Sequence, residues 1–171
     1  FSKAIISNPS KKLFIGNINL VNIHREVLRD VKYFNPYFYS LLYEGMTLTN
    51  QACFWNKDLN SKLGLLKDLR INFDYEWFMR ILKTYPGTGH HVNKTLACFR
   101  LHKSQKTQNP TYLDQKQLNL IKTENEPTQY TNKREVVNTL KQLVSLGKNI
   151  DYQKQHIENI KDMVGNERIF K

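Results

Sequence analysis

The chain is poor in the residues and motifs that would fix a chemistry at once. Its 171 residues include two cysteines, five prolines and seven glycines. No apolar run approaches the ~20 residues that span a bilayer. Cys53 and Cys98 sit in matching Ala-Cys-Phe contexts with no Cys-x-x-Cys partner and no Cys/His spacing suited to zinc. They read as two buried, reduced thiols of a cytosolic protein. There is no glycine-rich phosphate loop, nucleophile elbow or Cys/His dyad. Asp-x-Asp is also absent, which excludes a self-contained acidic metal motif. The N-terminal Phe1-Ser2-Lys3-Ala4-Ile5-Ile6-Ser7 is too short and polar for a signal peptide. Phe1 in place of Met suggests a processed or trimmed chain, or a piece of a longer one.

What is present suffices for a globular core, with 40% hydrophobic and 12% aromatic residues. The net charge of +11 is spread along the chain: residues 1–102 carry 14 Lys and Arg against 7 Asp and Glu, and the remainder 12 against 8. Such a spread suits phosphate-bearing ligands, anionic lipid or nucleic acid, and it also suits a merely solvated basic surface.

The pattern predicts a strand over 11–22, in which Ile18 and Leu20 alternate with Asn17 and Asn19. A short amphipathic helix is expected over 25–33, from Val27, Leu28 and Val31. A second follows Pro36 over 37–43 and ends at Gly45. A buried strand over 49–56 and a helical turn over 58–64, closed by Gly64, come next. The stripe Phe73, Trp77, Phe78, Ile81 and Leu82 predicts a helix over 73–84 that stops at Pro86-Gly87. A strand returns over 91–101. Helices are expected near 111–124 and, beyond Pro127, from about 132 to 165. The expected fold class is α/β: a mixed body over 1–108 followed by a helical extension over 109–171.

Asp74 is the sharpest chemical candidate. At a helix start it suits an N-cap, with Phe73 and Phe78 as a hydrophobic staple. Held partly buried beside a cleft, the same carboxylate would accept a proton from a hydroxyl. Glu76 lies two residues on and points elsewhere, so the two acids do not form a pair. His102 ends a strand, with Arg100 on the same face and Ser104 beyond. One imidazole makes no metal site without carboxylate partners. His24, His156 and the turn residues His90 and His91 are weaker signals. Phe54 suits the core, and Trp55 suits either core packing or a sugar-stacking platform.

In order, Gln51-Ala52-Cys53-Phe54-Trp55, Gly64, Asp68, Asp74-Tyr75 through Arg80, and Leu96-Ala97-Cys98-Phe99-Arg100-Leu101-His102-Lys103-Ser104 resemble the acceptor-side half of family 2 glycosyltransferases, which have the GT-A fold. Gly16-Asn17 resembles that family's Gly-Asp strand, with Asn in place of the acid. The resemblance covers residues 13–124. It implies an inverting, metal-dependent transfer of a sugar from a nucleotide-sugar donor to a glycan, lipid-linked or protein acceptor. In that reading Asp74 is the catalytic base. His102, Arg100 and Lys103 lie near the diphosphate or a Mg or Mn ion, with His102 the metal-side candidate, and Gln51, Trp55 and Tyr75 face the acceptor. The family's nucleotide-binding half would precede residue 13, so the expectation is an incomplete enzyme, inactive alone and binding no cation by itself. A cytoplasmic site, peripheral at a membrane's inner face, and no nucleic-acid partner go with it. The competing readings are a basic module for nucleic acid or anionic membrane, with Asp74 a helix cap, and a non-catalytic transferase-derived scaffold.

Overall fold

The computed structural model describes residues 1–106 and 110–126. The helices expected from about 132 to 165 lie outside the described residues, as does His156. The described part is α/β, an open four-stranded mixed sheet with helices packed on it. Its elements are α1 (Ser2–Ser7), β1 (Leu13–Val21), β2 (Val27–Val31), α2 (Phe38–Glu44), a 3-10 turn (Asn50–Ala52), β3 (Cys53–Trp55), α3 (Asp58–Leu63), α4 (Phe73–Thr84), β4 (Gly89–Arg100) and α5 (Tyr112–Asn125). Among the described residues no helix is long and apolar enough to cross a membrane.

β1 is the spine. One of its edges pairs antiparallel with β3 at Leu13–Ile15 and with β2 at Ile18–Val21. The other pairs parallel with β4. Leu13 and Ile15 join Cys53, the α2 residues Phe38, Leu41 and Leu42, and the α4 residues Trp77, Phe78, Ile81 and Leu82 in one core. The helix expected over 73–84 forms with those ends. Its apolar stripe supplies the burial that a 12-residue helix needs.

The β1–β4 register slips twice, so that β4 carries extra residues opposite Gly16 and Asn17. Leu96 folds over Gly16, where a Cβ would fall 2.3 Å from Leu96 Cγ. Asn93 turns its side chain to Asn17, whose Nδ2 donates to Asn93 Oδ1 at 3.3 Å. Asn17, expected on a solvent face, is therefore buried. Its Oδ1 accepts the Tyr33 N–H at 3.0 Å and lies 2.8 Å from His91 Nε2. That contact requires the proton on His91 Nε2.

Five expectations are corrected. Where a helix is expected over 25–33, Val27–Val31 form a hairpin strand, because Asn22 Oδ1 accepts the N–H groups of His24 and Glu26 and turns the chain back along β1. The strand expected over 49–56 begins as a 3-10 turn over Asn50–Ala52 and is strand only over Cys53–Trp55. His90 and His91 stand in β4 rather than in a turn. Of the two thiols only Cys53 is buried; Cys98 is exposed. Phe54 is 43% exposed as well, because its neighbours Cys53 and Trp55 take the core side. Its ring leans on Phe1, centroids 4.3 Å apart.

The predicted boundary at 108 falls among residues that are not described. Beyond it, α5 closes on the body: Ile121 enters the core, and Lys83 Nζ donates to Asn125 Oδ1 at 3.0 Å.

Candidate functional site

A cavity of about 630 Å³ opens between the residues that follow α2, the segment entering α4, and the turn after β4. Asp74 and His102 both line it. These are the two side chains that the sequence singles out for chemistry, and they come from different elements.

Asp74 is not the cap of α4. That position belongs to Asn72, held left-handed at φ 67, with its side chain turned away to donate to the Asp114 carbonyl at 3.1 Å. The shift of the start removes Phe73 and Phe78 from staple positions. Asp74 sits in the first turn, and its Oδ1 accepts one neighbouring amide, Tyr75 N–H, at 2.9 Å. Its own backbone N–H is a second donor to the carboxylate. Burial raises the Asp74 pKa above its ordinary 3.8, outweighing the backbone donors that lower it. The same charge helps push the Cys53 thiol up, after burial, which is the larger cause.

His102 is exposed at the cavity rim, its Nδ1 3.0 Å from Ser104 Oγ. The turn behind it is clamped by buried Gln105, which donates through Nε2 to the Arg100 carbonyl at 2.9 Å and accepts the His102 N–H. Gln51 lines the cavity too, accepting from Thr49 Oγ1. Tyr75 contributes to the lining, but its hydroxyl is committed. It donates to the Leu41 carbonyl at 2.8 Å, fastening α4 to α2, and burial pushes its pKa to about 12.

The other expected residues stand apart. Arg100 and Lys103 are exposed and outside the lining. Trp55 is a packing residue: its ring meets Trp77 and Phe78 edge-on, each at 6.1 Å, and Nε1 donates to Asn60 Oδ1 at 3.1 Å.

Among the lining residues that escaped the sequence reading are Arg70, Lys106 and Leu118. Arg70 carried a usable signal, as a cation just ahead of the α4 start. Lys106 gave none, as one more polar residue of the turn after β4, and Leu118 gave none because it reaches the cavity only as α5 folds back. With Arg70 and Lys106 opposite Asp74, and the His102 imidazole at the rim, the site offers two cations around one desolvated carboxylate. That arrangement receives an anionic group beside a proton acceptor. Among the described residues no three His, Cys, Asp or Glu side chains converge as a cation would require.

No family model, curated protein or solved structure matches the chain.

Proposed function

We infer that the chain forms the acceptor side of an inverting, nucleotide-sugar-dependent glycosyltransferase of the GT-A fold, with Asp74 as the general base. The observation that carries this is the shared cavity of Asp74 and His102, with the Asp74 carboxylate desolvated and lining it.

A carboxylate with a raised pKa is a better proton acceptor than a solvated one. The acceptor hydroxyl gives its proton to Asp74 as its oxygen bonds to the anomeric carbon. The carbon–oxygen bond to the nucleotide diphosphate breaks on the opposite side and its electron pair leaves with the diphosphate, so configuration inverts. Lys106 is the cation of the cavity lining whose charge is free to face that leaving group, and His102 offers a ring nitrogen beside it. Arg70 is shared with Asp114. The resemblance also implies a Mg or Mn ion, which would stabilise the diphosphate charge. The described residues do not supply its ligand set, and no step here runs through it.

The test uses the full-length gene product with a panel of nucleotide sugars and candidate acceptors, following release of nucleoside diphosphate. Asp74→Asn should abolish acceptor-dependent release while nucleotide-sugar binding, measured by calorimetry, is retained. Turnover at the wild-type rate in Asp74→Asn removes the base role. Absence of any nucleotide-sugar binding or release removes the transferase reading.

A further inference from the structure

The apex of the hairpin formed by β1 and β2 lies outside the cavity lining and the core cluster. Every residue from Ile23 to Asp30 is exposed, so side chains on both faces of β2 meet solvent. A strand packed on a body would bury one face. This one projects. Its apex carries large aliphatic side chains in water: Ile23 is 62% exposed, Val27 57% and Leu28 56%.

The apex is also preorganised. Asn22 holds it from inside, accepting two backbone N–H groups through Oδ1 and donating from Nδ2 to Glu26 at 2.6 Å. The backbone closes with Asn22 N–H to the Glu26 carbonyl and Arg25 N–H to the Asn22 carbonyl, both at 3.1 Å. Arg25 takes φ 68 to make the turn.

Cations surround the aliphatic apex. Arg25 is in the turn, Arg29 stands opposite Leu20, and Arg100 flanks Val21 across the other edge of β1. None of the three has an ion-pair partner among the described residues. The neighbouring acids are less available: Glu26 is bonded to Asn22, and Asp30 lies a step further from the apex.

We propose that this apex docks on the surface of a bilayer containing acidic lipid, Ile23, Val27 and Leu28 entering the interfacial layer while Arg25, Arg29 and Arg100 meet the headgroup phosphates. A narrow convex wedge with aliphatic side chains on both faces fits a soft surface that it can enter, since a rigid partner would need a matching groove. Interfacial burial and attraction to anionic lipid reinforce each other. A nucleic-acid surface is a poorer match, because the apex offers no aromatic platform for bases. The proposal stands whether or not Asp74 is a base.

The full chain is sedimented with vesicles of phosphatidylcholine alone or of phosphatidylcholine with phosphatidylserine. Binding is expected only to the second, falling as salt is raised. Ile23→Ser/Leu28→Ser should weaken partition about tenfold. Arg25→Glu/Arg29→Glu should weaken it by about thirtyfold or more. Thermal melting confirms that both variants fold, which exposed sites favour. Three results overturn the proposal: no binding to either vesicle, binding that neither variant alters, or competition by duplex DNA that binds with the same variant sensitivity.

Discussion

Arg70 donates to the carboxylate of Asp114, and through that pair α5 is fastened to the wall of the cavity. Asp114 is 2% exposed and also accepts from the Thr111 N–H and Oγ1, both at 2.7 Å, in the capping box of α5. Beyond it, α5 buries only Ile121 fully. The helix is therefore held by one polar cluster and a modest apolar contact, yet it brings Leu118 to the cavity.

Acid should loosen this attachment. Hydrogen bonds from Thr111, with Arg70 adding to them, hold the Asp114 pKa below 3.8. A depressed carboxylate stabilises the fold above its ordinary pKa, and the stabilisation disappears as pH falls through the lowered one. Asp114→Asn should therefore reduce stability at neutral pH and lose less on acidification than wild type does. Denaturant titration at several pH values checks this, with hydrogen exchange in α5 as the local readout. Equal pH slopes for the two proteins would refute it.

Asp74 should behave in the opposite sense. Its carboxyl is raised by burial, so the folded state holds the proton more tightly than the unfolded chain. The destabilisation that accompanies ionisation grows as pH climbs from the ordinary value through the raised one. Asp74→Asn is expected to match or exceed wild type in melting temperature at neutral pH, with the advantage fading in acid. A variant that loses both activity and stability would mark Asp74 as a structural residue.

The sequence made α4 legible because an apolar stripe at helical spacing and a Pro-Gly stop point to one answer. Residues 25–33 were not legible. Val27, Leu28 and Val31 satisfy a helical period, and the side-chain turn of Asn22 that makes a hairpin leaves no periodic trace. At the site, Asp74 and His102 are legible by residue type and order, whereas Leu118 depends on how α5 returns. Asn17 was misassigned because the extra β4 residues opposite it cannot be seen in the alternation of β1.

That buried asparagine yields a third prediction. Burial, with His90 adding to it, lowers the His91 pKa below 6.5. In Asn17→Asp the side chain still accepts the Tyr33 N–H, and a negative charge now faces His91 Nε2. The His91 pKa should rise, by a shift that an NMR titration resolves. Asn17→Ala leaves the Tyr33 N–H without its partner and should cost about 1–3 kcal/mol. An unchanged His91 titration in Asn17→Asp would contradict the contact.

Arg80, part of the motif that pointed to Asp74, has a structural task. It donates to the Leu63 carbonyl, to the Leu65 carbonyl at 3.0 Å and to Glu76 at 2.7 Å, and its guanidinium lies 4.9 Å from the Trp77 ring. Glu76 is buried and otherwise meets only Lys67, at 3.3 Å. Arg80→Met should cost about 2–4 kcal/mol by stranding that carboxylate and freeing the loop after Gly64. Arg80→Met/Glu76→Met should recover part of the loss, and the recovery is the coupling between the two. Additive costs in urea unfolding would mean that the pair does not act as one.

The tightest steric demand lies where β4 folds over β1. A Cβ on Gly16 would meet three Leu96 atoms, Cγ at 2.3 Å, Cδ1 at 2.4 Å and Cβ at 2.9 Å. Leu96 belongs to the stretch where β4 carries extra residues, so its backbone is set by the register on both sides. The side chain can rotate, but its Cβ cannot retreat without disturbing the Asn17–Thr95 and Ile18–Ala97 pairs. Gly16→Ala should destabilise by about 1–3 kcal/mol through overpacking. Truncation of the offending side chain in Gly16→Ala/Leu96→Ala removes the two closest contacts and should restore part of the loss, although the Cβ contact persists. Because this crossing also sets the position of Asn17, the same variant should shift the His91 titration. A Gly16→Ala protein as stable as wild type, with His91 unmoved, would show that β4 does not lie this close to β1.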